Sequence, residues 1–271
     1  MSENLKVEKP VQLWQHHAHH RRNALAVVRA WISMAAFRDW TMLRHIPKGS
    51  KILDVGCGGG RPILAQRGTV TGLEPIAELA ETARGIYARV VAGDARALPF
   101  ADGEFDVLVT TDVIGHVPNE SKTKIFSEFA RVLKPGGLTI HIAETESDGW
   151  LARIAKREPE AYKQVWIEAP DHRNLETADR LVERFAEAGF HILKAQPIQA
   201  YLPECGQLSG LMARHQHMPW WLKGWAGLDR LLSRNDVVKE LTSLLLTPVG
   251  VVNRLAAPSQ GLGLIVVAQK R

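Results

Sequence analysis

The sequence predicts an α/β fold, a seven-stranded and mostly parallel sheet with helices on both faces. Strand-like and helix-like stretches follow one another in strict alternation from Lys51 onward, the order that yields parallel strands covered on both sides. The first of those strands, KILDVG, is short, apolar and β-branched, as a strand buried on both faces must be. The chain of 271 residues is long enough to bury a full core.

The elements can be justified in order. Residues 23–45 are predicted as helix, because Leu25, Val28, Trp31, Ile32 and Ala35 recur on one side. Pro47, Gly49 and Ser50 break that pattern, and KILDVG follows. TVTGLEP is a second strand, residues 76–87 a helix, RVVAGD a third strand and FDVLVTTD a fourth. A helix over 121–133 carries Ile125, Phe129 and Val132 inward, KPGG turns the chain, and LTIHIAET is a fifth strand. A helix over 175–189 has Leu181, Phe185 and Ala186 as its apolar stripe and Gly189 as its C-cap. HILKAQPIQA and GLGLIVVAQK are the last two strands. About sixty residues separate them, too many for a plain connection. The expected organisation is therefore one domain, with an N-terminal helical segment (1–46), a sheet core (47–200 and 261–271) and a helical cap inserted at 201–260.

Composition narrows the class. Lys and Arg exceed Asp and Glu by five, but the basic residues are scattered, so a solvated surface explains them better than an anionic partner. Two cysteines, Cys57 and Cys205, make neither a disulfide framework nor a metal cluster. His16, His17, His19 and His20 crowd together without a cysteine and read as an exposed helix start, so no metal site is expected. The stretch MSENLKVEKP lacks the apolar core of a secretory signal, and no uncharged apolar run approaches the ~18 residues of a membrane span. The expected location is cytoplasmic, or peripheral at the inner membrane surface.

The sharpest functional signal is the run Asp54-Val55-Gly56-Cys57-Gly58-Gly59-Gly60-Arg61, directly after the first strand. Glycines there let the backbone turn tightly and approach a ligand with no Cβ in the way. A dinucleotide fingerprint would place glycine where Arg61 stands, and a phosphate-binding P-loop would end in Gly-Lys-Ser/Thr, so neither fits. Glu74 ends the second strand, where a carboxylate can accept from both hydroxyls of a ribose. Asp94 follows the third strand and can accept from an exocyclic amine such as that of adenine. Acidic residues after consecutive strands, on one side of the sheet, suit a nucleoside ligand.

These segments, ILDVGCGGG, GLEP, GDARALPF, FDVLVTTDVIGHV and RVLKPGG, resemble in order the motifs of the class I S-adenosylmethionine (SAM)-dependent methyltransferases, nearest the ubiquinone/menaquinone-type group that acts on small molecules and lipids. The resemblance is strong over about residues 51–145 and beyond them covers only the strand and helix pattern. It implies a Rossmann-like fold, SAM as cofactor and S-adenosylhomocysteine as product. It further implies that Asp54, Gly56, Cys57 and Gly58 line the methionine part of SAM, and that Glu74 holds the ribose, with Pro75 and Ile76 beside the adenine. Asp94 and Ala95 then contact the adenine edge, while Thr111, Asp112 and Val113 lie near the transferable methyl group. One departure is visible: few residues separate Arg61 from the second strand, so the first helix is unusually short.

An oxygen or carbon nucleophile needs a base to take its proton. His116, after the fourth strand, is the first candidate; His172, with Asp171 beside it, is the second; Asp112 has a position suited to either role. Glu144 and Glu146, after the fifth strand, are placed to hold a cationic amine. The cap segment MPWWLKGWAGLDRLLSR sets Trp221, Trp225, Leu228 and Leu232 at helical spacing and adds Lys223, Arg230 and Arg234, a mix found in helices that lie on membranes. With LTSLLLTPVGVV it makes residues 219–251 a candidate for peripheral membrane contact, against burial of the same stripe in the core or a dimer. The favoured acceptor is a small molecule, with a slight preference for a hydrophobic one such as a lipid, a quinone or a lipid-linked glycan; the protomer is a monomer or homodimer. A catalytically inactive SAM-binding subunit is the alternative. No nucleic-acid partner is expected, since no recognition module is present and TTDVIGHV replaces the Asn/Asp-Pro-Pro-aromatic signature of base methylation.

Overall fold

A computed structural model describes residues 34–147, 149–168, 172, 175–197, 219–235, 237–239, 241–246 and 263–271. The expected helical positions Leu25, Val28, Trp31 and Ile32, the histidine cluster, Asp171 and most of the cap outside 219–246 lie outside these residues. The chain divides into two compact units, one of Met1–Ala36 with Pro203–Pro248 and the other of Phe37–Leu202 with Val249–Arg271.

The second unit holds a seven-stranded sheet. Its strands are β1 (Ser50–Val55), β2 (Gly68–Leu73), β3 (Arg89–Val91), β4 (Phe105–Thr111), β5 (Leu133–Glu144), β6 (Phe190–Pro197) and β7 (Gly263–Lys270). They lie in the order β3-β2-β1-β4-β5-β7-β6. Pairs from β3 to β5 are parallel, and β7 runs antiparallel between β5 and β6, so the sheet is mostly parallel as expected. KPGG turns as predicted, but inside β5: Leu133 pairs with Phe105 and Leu138 with Val107, so Lys134, Pro135, Gly136 and Gly137 bulge opposite the single Asp106.

The helices are α1 (Met34–Leu43), α2 (Ala77–Arg84), α3 (Asn119–Val132), α4 (Trp150–Ala155), α5 (Pro159–Tyr162) and α6 (Ala178–Glu187). The connection after the glycine run is a five-residue 3-10 turn, Pro62–Gln66, as its shortness in sequence implied. The predicted start of α6 at Leu175 moves to Ala178 because the hydroxyl of Thr177 accepts from the amide of Arg180 and caps the helix there. Gly189 follows its end with φ of +88°, a conformation that costs glycine no steric clash.

Strand alternation divides the core between the two faces. Leu53, Leu108, Ala143 and Val266 pack with Ile125, Phe126 and Phe129 of α3 and Leu181 and Phe185 of α6. Ile52, Val107, Val109, Ile140, Ile142 and Ile265 pack with Met42 of α1 and Ala83 of α2 on the other face. Burying a side chain of this size contributes roughly 1.5–3 kcal/mol. Beyond β5, Glu146 bridges to Thr177 and its amide donates to the carbonyl of Glu176. The carboxylate of Glu176 accepts from Lys122 of α3 and Arg184 of α6, so the entry to α6 is fixed to α3.

In the first unit, α7 (Trp220–Leu232) forms where predicted. Leu222 and Ala226 are its buried positions, whereas Trp220, Trp221, Trp225, Leu228 and Leu231 are exposed. Spacing placed Trp221, Trp225, Leu228 and Leu232 together correctly, but this helix is apolar on more than one side and spacing cannot say which side faces inward. No helix among the described residues is long and apolar enough to cross a membrane.

A histidine sits in the middle of the larger core. His141 of β5 is fully buried and stacks on Phe129 at 5.4 Å, with Phe185 at 4.5 Å. Its Nδ1 lies 2.7 Å from Thr110 Oγ1 and its Nε2 2.5 Å from Thr139 Oγ1, so both ring nitrogens are satisfied without charge. Burial pushes its pKa down from 6.5 to about 3. In the unfolded chain the imidazole takes up a proton near pH 6.5, but in the folded one only near 3. Stability from this residue is thus complete above pH 6.5 and is lost as the pH falls toward 3. Chemical denaturation across that range should show an acid limb that His141→Gln flattens by up to one proton, about 1.4 kcal/mol per pH unit. Equal slopes in both proteins would place the acid sensitivity elsewhere.

Candidate functional site

The strand order reverses between β1 and β4: the chain builds β1, β2 and β3 outward, then returns to pair β4 on the other side of β1. Ligands of open α/β sheets bind in the crevice that such a reversal leaves beyond the carboxyl ends of the strands. The glycine run follows β1 and Asp112 follows β4, so both stand at that crevice.

The amides of Gly56 and Cys57 donate to the carbonyl of Leu73, which ties the turn to the end of β2. Gly56 has φ of +67°, and a Cβ there would lie 2.5 Å from Val113, so the turn packs flush on the segment after β4. Gly58 also has positive φ, but a Cβ there would meet nothing within 4 Å. Its open side is the space a ligand can occupy. The thiol of Cys57 turns the other way, into the core against Gly72, and burial followed by Asp54 and Glu74 pushes its pKa up to about 12. Any contact from Cys57 to a ligand is therefore through its backbone.

Two buried carboxylates flank the turn. Asp54 accepts from the hydroxyl of Tyr87 at 2.6 Å, and that hydroxyl accepts from the amide of Arg61 at 2.7 Å. Burial raises the Asp54 pKa to about 6, against the opposing pull of Tyr87 and Arg61. Glu74 accepts from the amides of Gly58 at 2.9 Å and Ile76 at 3.0 Å, one on each oxygen, which leaves a further lone pair on each for a diol. Pro75 is exposed beside it. Asp94 lies further out, half-exposed, and its carboxylate takes the guanidinium and amide of Arg96. Ala95 packs partly into the core below.

The side of the crevice formed by β4 and β5 carries the remaining residues. The hydroxyl of Thr111 is buried with no hydrogen-bond partner among the described residues, an orphan that leaves room for a ligand's polar group. Asp112 adopts φ of +56° and forms a 2.5 Å ion pair with Arg38 of α1. Burial raises the Asp112 pKa despite Arg38, and Glu144 adds to the rise. His116 ends a short 3-10 turn (Ile114–His116), and its ring lies 5.2 Å from that of His172. His172 Nε2 is 3.8 Å from Glu144 Oε1. Burial pushes the Glu144 pKa up, but His172, its own backbone amide and His116 outweigh this and hold it low. His116, His172 and Glu144, predicted separately, are thus brought together; Glu146 instead pairs with Lys156.

Sequence reasoning missed Tyr87, Arg38 and Asp39. Tyr87 reads as a core aromatic, and nothing local links it to a carboxylate 33 residues earlier. Arg38 and Asp39 are neighbours on α1, yet reach Asp112 and Arg61 respectively, the latter at 2.7 Å. Only the fold discloses these pairings.

Residues 53–141 match the family model described as "Methyltransferase domain". The chain is 30% identical over 219 residues to the 24-methylenesterol C-methyltransferase 2 of Oryza sativa subsp. japonica, covering 75% of this chain and 54% of that protein. It is 36% identical over 114 residues to the 2-methyl-6-phytyl-1,4-hydroquinone methyltransferase of Synechocystis sp., covering 39% of this chain and 35% of that one. It spans, then, about half or less of the length of these curated relatives. Among solved structures, a SAM-dependent methyltransferase of Methanosarcina mazei superposes with a TM-score of 0.53 at 18% identity, over 85% of this chain and 96% of that one. The geranyl diphosphate C-methyltransferase of Streptomyces coelicolor, solved with Mg2+, geranyl diphosphate and S-adenosyl-L-homocysteine, gives 0.52 at 14% identity, over 88% and 79%. The chain carries a class I SAM-dependent methyltransferase domain.

The residues present fit that cofactor: an open glycine, two buried carboxylates with spare lone pairs, and an orphaned hydroxyl line one crevice. An ionised Asp54 favours a cationic amine end, so SAM affinity measured by calorimetry should fall as the pH drops through about 6. The limiting slope is ~10-fold per pH unit, and Asp54→Asn should bind weakly with a flat profile. An unchanged affinity in that variant would remove Asp54 from the site.

Proposed function

We propose that this protein transfers the methyl group of SAM to a small, hydrophobic acceptor, leaving S-adenosylhomocysteine. The observation that carries the proposal is the meeting of His116, Glu144 and His172 at the carboxyl ends of β4 and β5, next to Asp112 and beside the glycine turn. When bound, SAM supplies an electrophilic methyl group on a sulfonium. Asp54, with Tyr87 behind it, orients the methionine end; Glu74 accepts from the ribose hydroxyls; Asp94 and Ala95 border the adenine. Asp94 reaches the base by releasing Arg96, an exposed pair that water screens and whose loss costs little. Thr111 and Asp112 then face the methyl group.

On the acceptor side, the cluster of His116, Glu144 and His172 receives the nucleophile and the proton it must lose. Positioning and exclusion of water supply most of the remaining barrier lowering. A hydrophobic acceptor is supported by the sterol and hydroquinone named for two relatives and by the exposed tryptophans of α7 beside Lys223 and Arg230. The same face supports peripheral contact with a membrane through residues 219–251.

Methyl-labelled SAM, purified protein and an extract of the source cells, separated into organic and aqueous phases, test the acceptor class. Label should enter the organic phase; label confined to water would point to a polar metabolite, and none in either phase to an inactive SAM-binding subunit. With the labelled acceptor in hand, His116→Ala should bind SAM normally and turn over at least ~100-fold more slowly. Full turnover would take His116 out of the mechanism.

A further inference from the structure

Three donor atoms converge at the acceptor end of the crevice. One ring nitrogen each from His116 and His172 and one oxygen of Glu144 all lie within 4.8 Å of one another. Two of these residues come from rigid, adjacent places: Glu144 is the last residue of β5, and His116 ends the turn after the neighbouring strand β4. The third is held by its backbone, since the amide of His172 donates to the carbonyl of Ile167 at 2.8 Å. The Glu146–Thr177 bridge fixes the far end of the same connection.

A second observation asks for a ligand here. Glu144 Oε2 is buried and has no hydrogen-bond partner among the described residues. A carboxylate oxygen left so is costly, and such an atom points to a group that completes it. Gly115 lies directly beneath: a Cβ at that position would come within 2.9 Å of Glu144 Oε2 and 3.4 Å of His172 Cδ2. The backbone is thus cut back to glycine where these groups meet.

We propose that His116, Glu144 and His172 form a three-ligand site for a divalent transition-metal ion, Zn2+ in the first instance. Two imidazole nitrogens and one carboxylate match the donor set of open catalytic zinc sites and of two-histidine, one-carboxylate iron sites. Mg2+ and Ca2+ prefer oxygen ligands and suit the set poorly. With Zn–N and Zn–O distances of ~2.0–2.2 Å, ligand atoms in a tetrahedron stand about 3.3 Å apart, so side-chain rotations that close the present spacing complete the site. Three protein ligands leave at least one position open, facing the acceptor. The site takes its purpose from the methyl-transfer reading, in which this cluster receives the acceptor; a donor oxygen bound at the open position would be made more acidic by the metal and lose its proton to water, so that a ligated His116 need not take it up directly.

The test is calorimetric titration of Zn2+ into untagged, chelator-stripped protein. To keep the crowded histidines of the N-terminal segment from contributing, the titration uses a background with His16, His17, His19 and His20 replaced by Asn. One equivalent of Zn2+ should bind, and His116→Ala, His172→Ala and Glu144→Gln should each weaken it by more than the ~10–100-fold that losing an outer-shell partner costs. Co2+ in place of Zn2+ should give the intense visible bands of a low-coordinate site, lost in the same variants. SAM affinity, measured in parallel, certifies that each variant is folded. Absence of binding in the background protein, or binding untouched by all three substitutions in folded protein, overturns the site. Methyl transfer that persists in fully stripped, zinc-free protein overturns its catalytic use yet leaves the methyltransferase reading intact. Zinc binding without methyl transfer to any acceptor does the reverse.

Discussion

β1 and β4 lie side by side and parallel, with Ile52 opposite Val107 and Val55 opposite Thr110, although the chain lays down β2 and β3 between them. That pairing brings the ends of two strands far apart in sequence to one edge and leaves an opening between the helices that follow them. The glycine turn, Glu74, Asp112 and the acceptor-side cluster all depend on it. A register slip of one residue would turn Asp54 from its buried position toward the opposite face of the sheet. Such a slip would carry the carboxylate into the apolar core on the other face, and the cost of burying it there opposes the slip.

Charge is placed at that opening against the cost of burial. Asp54 and Glu74 are both buried at the ends of neighbouring strands, and among the described residues neither has a side-chain cation hydrogen-bonded to it. Backbone amides and a tyrosine hydroxyl hold them instead. This keeps lone pairs free and leaves Asp54 with a raised pKa, a group that gains when a cation arrives. Arg61 is the cation that acts on Asp54, and it is already paired with Asp39, while Arg38 pairs with Asp112. α1 therefore contributes one residue of each sign to these ion pairs and is anchored through Met42 in the core.

The fold was legible because strands and helices alternate with clear periods, and because the glycine run stands between a strand and a helical turn. The short first connection, the C-cap at Gly189 and the helix at Trp220 could all be placed from local chemistry. Partnerships could not. Tyr87 serves Asp54 across a turn and a helix, and Arg38 serves Asp112 from an element whose apolar stripe gave no hint of function. His116, Glu144 and His172 were each visible as candidates, but their convergence is a property of adjacent strand ends plus one loop. For α7 the limit was different: its sequence is apolar on several sides, so periodicity found the helix without choosing its buried face.

Donor and acceptor ends of the crevice are built from different material, and this governs how each is recognised. The donor end uses backbone amides, glycine conformations and strand-end carboxylates, which demand particular residues at particular positions and so leave a readable motif. The acceptor end uses side chains from the ends of β4 and β5 and from the connection before α6, where many residue types satisfy the same backbone. Residues 53–141, the span matched by the family model, hold every donor residue named above and His116, but neither Glu144 nor His172. Two of the three residues proposed to meet the acceptor therefore lie outside the span that the family model matches. A shared donor site accordingly says little about the acceptor, and in the proposed reaction the His116, Glu144 and His172 cluster is where this chain's own specificity would have its physical basis.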